Sequence, residues 1–142
     1  MILFDVNVLL NAHRSAQEHH RVARELLETV VNAPAPFAVS ELVLAAFVRI
    51  ATNPRAFAVA TPLDQAFRFA DLLRRRPNAR VVRPGGRHWS IFQDLCRRTQ
   101  AQGALIADAQ HAALAIEHRC EWISFDRDFA RFPDLRWRHP LD

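Results

Sequence analysis

Met1-Ile-Leu-Phe-Asp-Val-Asn-Val-Leu-Leu-Asn11 opens the chain. Its apolar run, Met1 to Phe4, is too short for a helix and halts at a carboxylate, with an amide two residues on at Asn7. That pattern predicts a strand buried on both faces, as in a parallel sheet. Asp5 then falls at the carboxyl end of the strand, where open α/β sheets gather their chemistry. The fold turns on whether later runs repeat this plan, and the function on whether their acids meet.

Working outward, Val8 to His13 reads as a short helix. Ser15 is positioned to cap the next one, with Glu18 as its capping-box partner, and Ala23, Leu26, Leu27 and Val30 form its buried face. Pro34 and Pro36 end that helix, and Phe37-Ala-Val39 is a second buried strand closing at Ser40-Glu41. Ser40 suits an N-cap for the helix Leu42 to Ile50, which is apolar nearly all round and must be covered on more than one side, by core or by a partner. Thr61-Pro62-Leu63-Asp64 opens a further helix, with the Thr61 hydroxyl as cap, Leu63, Ala66, Phe67, Ala70 and Leu73 inward, and Arg74-Arg75-Arg76 in the last turn.

A third strand is expected over Arg80 to Arg83, and a helix carries Trp89, Phe92, Leu95 and Cys96. Gly103 separates it from an alanine-rich helix that Leu105-Ile-Ala-Asp108 opens and that runs to about Arg119. Glu121 to Phe125 is a fourth strand, halting at Asp126 and Asp128. A helical turn through Phe129 and Phe132 leads to Leu135–Arg138, whose alternation of apolar and cationic residues suits an edge strand. Strands alternating with helices predict one domain over 1–142: a three-layer α/β/α fold with a central, mainly parallel sheet of about five strands.

Composition narrows the chemistry. All nineteen cationic side chains are Arg, so a Walker-type phosphate loop and a Schiff-base enzyme, which need lysine, are excluded. The three glycines, Gly85, Gly86 and Gly103, cannot make a dinucleotide-binding loop. No apolar run approaches the roughly 18 residues of a membrane span, and the first run lacks the basic flank of a signal peptide. Cys96 and Cys120 form no metal or disulfide pattern, so a reducing cytoplasm is the expected compartment. A net charge of +4 suits a polyanionic partner.

Asp5, Glu41, Asp126 and Asp128 each follow a predicted strand, and Asp108 opens a helix. Parallel strands bring their carboxyl ends to one edge, so acids distant in sequence can converge. Oxygen donors alone favour a hard ion, Mg²⁺ or Mn²⁺, over zinc. Each acid also has a plainer use: a turn residue at Asp5, an N-cap at Asp108, a dipole partner at Glu41, an Asx turn at Asp126 and Asp128. It is the repetition at one sheet edge that favours a shared site.

Asp5-Val-Asn7, Ser40-Glu41, Ala107-Asp108-Ala109 and Ser124-Phe-Asp126-Arg-Asp128-Phe129 together resemble the acidic motifs of PIN domains, in order and across essentially the whole chain. More narrowly the chain resembles VapC-type toxins of bacterial type II toxin–antitoxin systems. The resemblance implies an Mg²⁺- or Mn²⁺-dependent endoribonuclease that inhibits translation and growth and is neutralised by a VapB-type antitoxin. It implies Asp5, Glu41, Asp108 and Asp126 as catalytic carboxylates, with Asp5, Asp108 and either or both of Asp126 and Asp128 holding metal. Asn7, Ser40 and Ser124 would support these or touch phosphate. The implied reaction is attack of an activated water on an RNA phosphodiester, leaving 5′-phosphate and 3′-hydroxyl ends, with transfer RNA and ribosomal RNA both open as substrates. A homodimer is also expected. A DNA- or structure-specific nuclease, or a non-catalytic RNA- or protein-binding module, would use the same fold.

His111, three residues after Asp108, is more readily a packed histidine than a ligand, and His19-His20 reads as solvated helix surface. Arg74, Arg75 and Arg76, with Arg131, Arg136 and Arg138, are candidates for RNA phosphate contacts. Trp89 and Trp137 could stack on bases, though core packing is the preferred reading for both.

Overall fold

The computed structural model describes residues 1–142. Elements run β1 (Ile2–Phe4), α1 (Val6–His13), α2 (His20–Asn32), β2 (Phe37–Val39), α3 (Glu41–Ala51), α4 (Leu63–Arg74), β3 (Ala79–Val81), α5 (His88–Thr99), α6 (Ala104–Glu117), β4 (Glu121–Ile123), a 3₁₀ turn (Arg127–Arg131) and β5 (Trp137–Arg138). The five strands form one sheet in the order β3-β2-β1-β4-β5, every pair parallel. β1 lies at the centre because its residues are apolar on both faces, and Leu3 and Phe4 are almost fully buried.

From β1 the chain crosses to β2 and then β3 on one side, and returns to β4 on the other. Right-handed crossovers therefore put α1 to α4 on one face and α5 with α6 on the opposite face; α1 packs on α2 and α3, and α5 on α6. Trp122, Phe37, Phe47 and Phe129 are the largest fully enclosed side chains of the core. The helix Leu42 to Ile50, expected to be covered on several sides, buries Val43, Leu44 and Phe47 but leaves Leu42 exposed. No helix is long and apolar enough to cross a membrane.

Two expected helix starts do not form as the sequence suggests. Ser15 sits in an exposed turn, and α2 begins only at His20 with His19 as an unbonded cap. Asn11 does the work instead: its Oδ1 accepts from the His19 backbone N–H (3.2 Å), and its carbonyl oxygen pairs with His20 Nδ1 (2.8 Å). Thr61 does not cap α4 either, because its hydroxyl is taken by Arg14 Nη1 (2.9 Å) and His13 Nε2 (3.3 Å), leaving Pro62 at the cap position. Leu63 and Phe67, expected inward, are more than half exposed; Ala66, Ala70 and Leu73 carry the buried stripe of α4. Trp89 is likewise on the surface, 64% exposed, rather than in the core.

Candidate active site

The chain reverses its direction of travel across the sheet between β1 and β4, and parallel sheets open a crevice at such a point, beyond the carboxyl ends of the strands. Asp5 and Ser124 end those two strands. Asp5 is 7% exposed and Ser124 wholly enclosed. Ser124 Oγ donates to Asp5 Oδ2 (2.6 Å) and accepts from Asn7 Nδ2 (3.0 Å) and the Asp126 backbone N–H (3.0 Å), so its hydrogen-bonding capacity is filled. Asp5 also accepts from the Val6 N–H (2.6 Å), capping α1, and from Asn7 Nδ2 (3.2 Å). The Asn7 carbonyl arm accepts from the Phe125 N–H (3.2 Å). Asn7 and Ser124 thus hold Asp5 in one orientation.

Asp108 arrives from the opposite face, in the second turn of α6 rather than at its cap; Gly103, with φ 61°, occupies the cap position. Asp126 accepts from the Asp128 N–H (2.9 Å) and so does shape the turn. That use does not remove it from the pocket, because its charge is felt by both Asp5 and Asp108. Burial first, and then the neighbouring carboxylates, push Asp5 up to about 6; Ser124 and Val6 oppose the shift. Asp108 is also raised to about 6, by burial and then by the charges of Asp126 and Asp128. None of the four forms an ion pair, in a chain with nineteen arginines. As the side chains lie, no three His, Cys, Asp or Glu groups are close enough to chelate an ion. In donor type and in uncompensated charge, the pocket nevertheless fits a hard divalent cation.

Glu41 stands apart from this group. It accepts from Arg74 Nε (3.0 Å) and Arg83 Nη2 (2.7 Å), and these bonds lower its pKa, Arg74 most. Ser40 is buried as the α3 cap, accepting from the Val43 N–H, and makes no bond to the acids. The proposed RNA-contacting arginines are dispersed. Arg74 is engaged by Glu41. Arg75 pairs with Asp71 on α4, and Arg76 binds the Val31 carbonyl and Asn32 at the amino end of the sheet. Arg136 binds the Arg119 carbonyl, also at that far end, and Arg138 pairs with Glu121 (2.6 Å). His111 stacks on Trp122 at 5.5 Å, and burial lowers its pKa.

Three contributors escaped the sequence reading. Arg83 pairs with Glu41; Trp137 donates its indole N–H to the Ser124 carbonyl (3.2 Å), steadying the residue that holds Asp5; Asn11 donates to the Asn7 carbonyl (2.8 Å). Only Asn11 carried a local signal, standing one helical turn after Asn7 in the opening stretch.

The family model described as PIN domain matches residues 2–135. VapC ribonuclease Mb2897 of Mycobacterium bovis is 46% identical over 142 residues, spanning 100% of this chain and 97% of its own. Ribonuclease VapC31 of Mycobacterium tuberculosis is 42% identical over 140 residues, 99% of each chain. Among solved structures, VapBC2 from Rickettsia felis bound to a DNA fragment from their promoter shares the fold at a TM-score of 0.70, with 17% identity and 98% of both chains covered.

Proposed function

Because the chain belongs to the PIN-domain family, alongside full-length relatives that are VapC ribonucleases, we propose that it is a metal-dependent endoribonuclease toxin held in check by a VapB-type antitoxin. One observation supports the reading: the charges of Asp108 and Asp126 reach Asp5, those of Asp126 and Asp128 reach Asp108, and no arginine pairs with any of the four.

Asp5 and Asp108 are the residues that would hold Mg²⁺ or Mn²⁺, with Asp126 and Asp128 completing the oxygen donors. A bound divalent ion would polarise the scissile phosphodiester and lower the pKa of an attacking water. Asn7 and Ser124 keep the Asp5 carboxylate aimed, and Trp137 holds Ser124 from behind. On the flank, Arg74 and Arg83 face the single carboxylate of Glu41, leaving one positive charge in excess. That excess can take an RNA phosphate beside the acids, so Glu41 serves to set two guanidinium groups rather than to grip the ion.

Labelled RNA and DNA strands incubated with Mg²⁺, Mn²⁺ or EDTA test the proposal. The expected result is RNA cleavage with the ions and none with EDTA. Cleavage of DNA in preference would replace the reading with that of a DNA- or structure-specific nuclease. RNA retained but never cut would make the protein a binding module.

A further inference from the structure

Phe125 stands between two residues of the pocket, Ser124 and Asp126, and its backbone is tied to Asn7. His19 lies over it: the two rings are 4.8 Å apart and nearly parallel, at 13°. Behind Phe125 the series continues inward. His139 meets it edge-on at 5.4 Å, and Trp137 meets His139 at 6.4 Å. His139 is buried and its Nδ1 accepts from the Leu141 N–H (3.1 Å), so the inner rings cannot shift freely. His19 is the outer end of this row, with its side chain 32% exposed.

Packing alone gives a weak account of His19. Neither ring nitrogen makes a hydrogen bond; the nearest charged group, Glu18 Oε2, is 3.8 Å from Nε2. The ring lies flat on Phe125, and the backbone that carries it is anchored: the His19 N–H is held by Asn11 Oδ1, and Asn11 in turn donates to the Asn7 carbonyl. One chain of bonds, from Asn11 through Asn7, therefore ties the Asp5 carboxylate to the backbone of both His19 and Phe125. A flat ring presented in advance at the edge of a phosphate-cleaving site is what stacking of a nucleobase requires, since every base offers a π-face and little entropy remains to be lost.

Resting on the ribonuclease reading, we propose that His19, backed by Phe125, is a stacking platform for an unpaired base of the RNA next to the cleaved phosphate. It is a positioning and specificity residue, contributing affinity for the nucleotide rather than chemistry. A stacked base is typically worth about 1–3 kcal/mol, or roughly 5- to 150-fold in affinity.

The test uses the full chain and a single-stranded RNA oligonucleotide carrying 2-aminopurine, whose fluorescence is quenched on stacking. In an Asp108→Asn background, which keeps the RNA uncut, binding should quench the probe. His19→Ala should lose most of the quenching and weaken binding at least about 5-fold, whereas His19→Phe, which keeps a flat ring, should restore both. With Asp108 intact, His19→Ala should raise KM and leave kcat nearly unchanged. Equal quenching and affinity for the Ala variant and the parent would overturn the platform. So would failure of the Phe variant to restore binding while its melting temperature matches that of the parent. Loss of RNA cleavage by the wild-type chain would defeat the ribonuclease reading instead, and the binding arm would still report on the ring.

Discussion

At the scale of single residues, the pocket carries a cost that ought to be measurable. Asp5 and Asp108 titrate near 6 in the folded chain, against 3.8 for an ordinary aspartate. Between those values the native state holds protons that the unfolded chain has released, so stability falls as pH rises through that window and stays reduced above it. Asp108, whose side chain makes no hydrogen bond, is the cleaner position to probe. Asp108→Asn should raise the melting temperature in EDTA at pH 7.5 by roughly 3 °C, on the order of 1 kcal/mol after solvent screening. The gain should shrink toward pH 4. Cleavage should fall by more than about 100-fold, beyond the loss typical of a supporting residue. Melting curves at both pH values, together with initial rates, check the pair of effects; a variant less stable than wild type at pH 7.5 would contradict the repulsion.

Elements show where local reading works and where it stops. Asn11→Ala should destabilise the fold by about 1–2 kcal/mol, because it removes the acceptor at the start of α2. Ser15→Ala, at the expected but unused cap, should stay within about 0.5 kcal/mol. Urea unfolding of the two variants decides which residue starts the helix. β1, β2 and the capped start of α3 were legible because their residues are buried by their own hydrophobic pattern, and Ser40 bonds three residues along the same helix. The starts of α2 and α4 were not, because partners distant in sequence claim the groups involved: Arg14 takes the Thr61 hydroxyl and lies over the Phe57 ring. The same limit hid the surroundings of Glu41. Its place after β2 was readable, whereas its two arginines come from α4 and from the loop after β3. That Asp5 and Asp126 would lie near one another was readable because parallel strand ends share an edge, and Ser124 bonds to both; Asp108, inside α6, carries no such strand-end signal. The support from Trp137 was not readable either, since an indole on an edge strand looks the same whether or not it holds a carbonyl.

Across the whole molecule, the electrostatic plan is an acidic pocket in a basic protein with a net charge of +4. RNA affinity should therefore fall steeply with salt, by about 0.7 in log–log slope for each phosphate engaged on a single strand. Arg83→Ala should reduce that slope by about 0.7, while Arg76→Ala, at the far end of the sheet, should leave it unchanged. Binding isotherms across a salt series discriminate the two, and equal slopes for Arg83→Ala and wild type would remove Arg83 from the RNA path. The bond from Ser124 to Asp5 joins positions 119 residues apart. Until β4 is synthesised and slides in beside β1, Asp5 has no hydroxyl to orient it, and Asp126 and Asp128 do not yet exist. Pairing of β4 with β1, rather than anything local to the opening strand, is therefore the folding step that completes the orientation of Asp5 and brings the charge of Asp126 up to it.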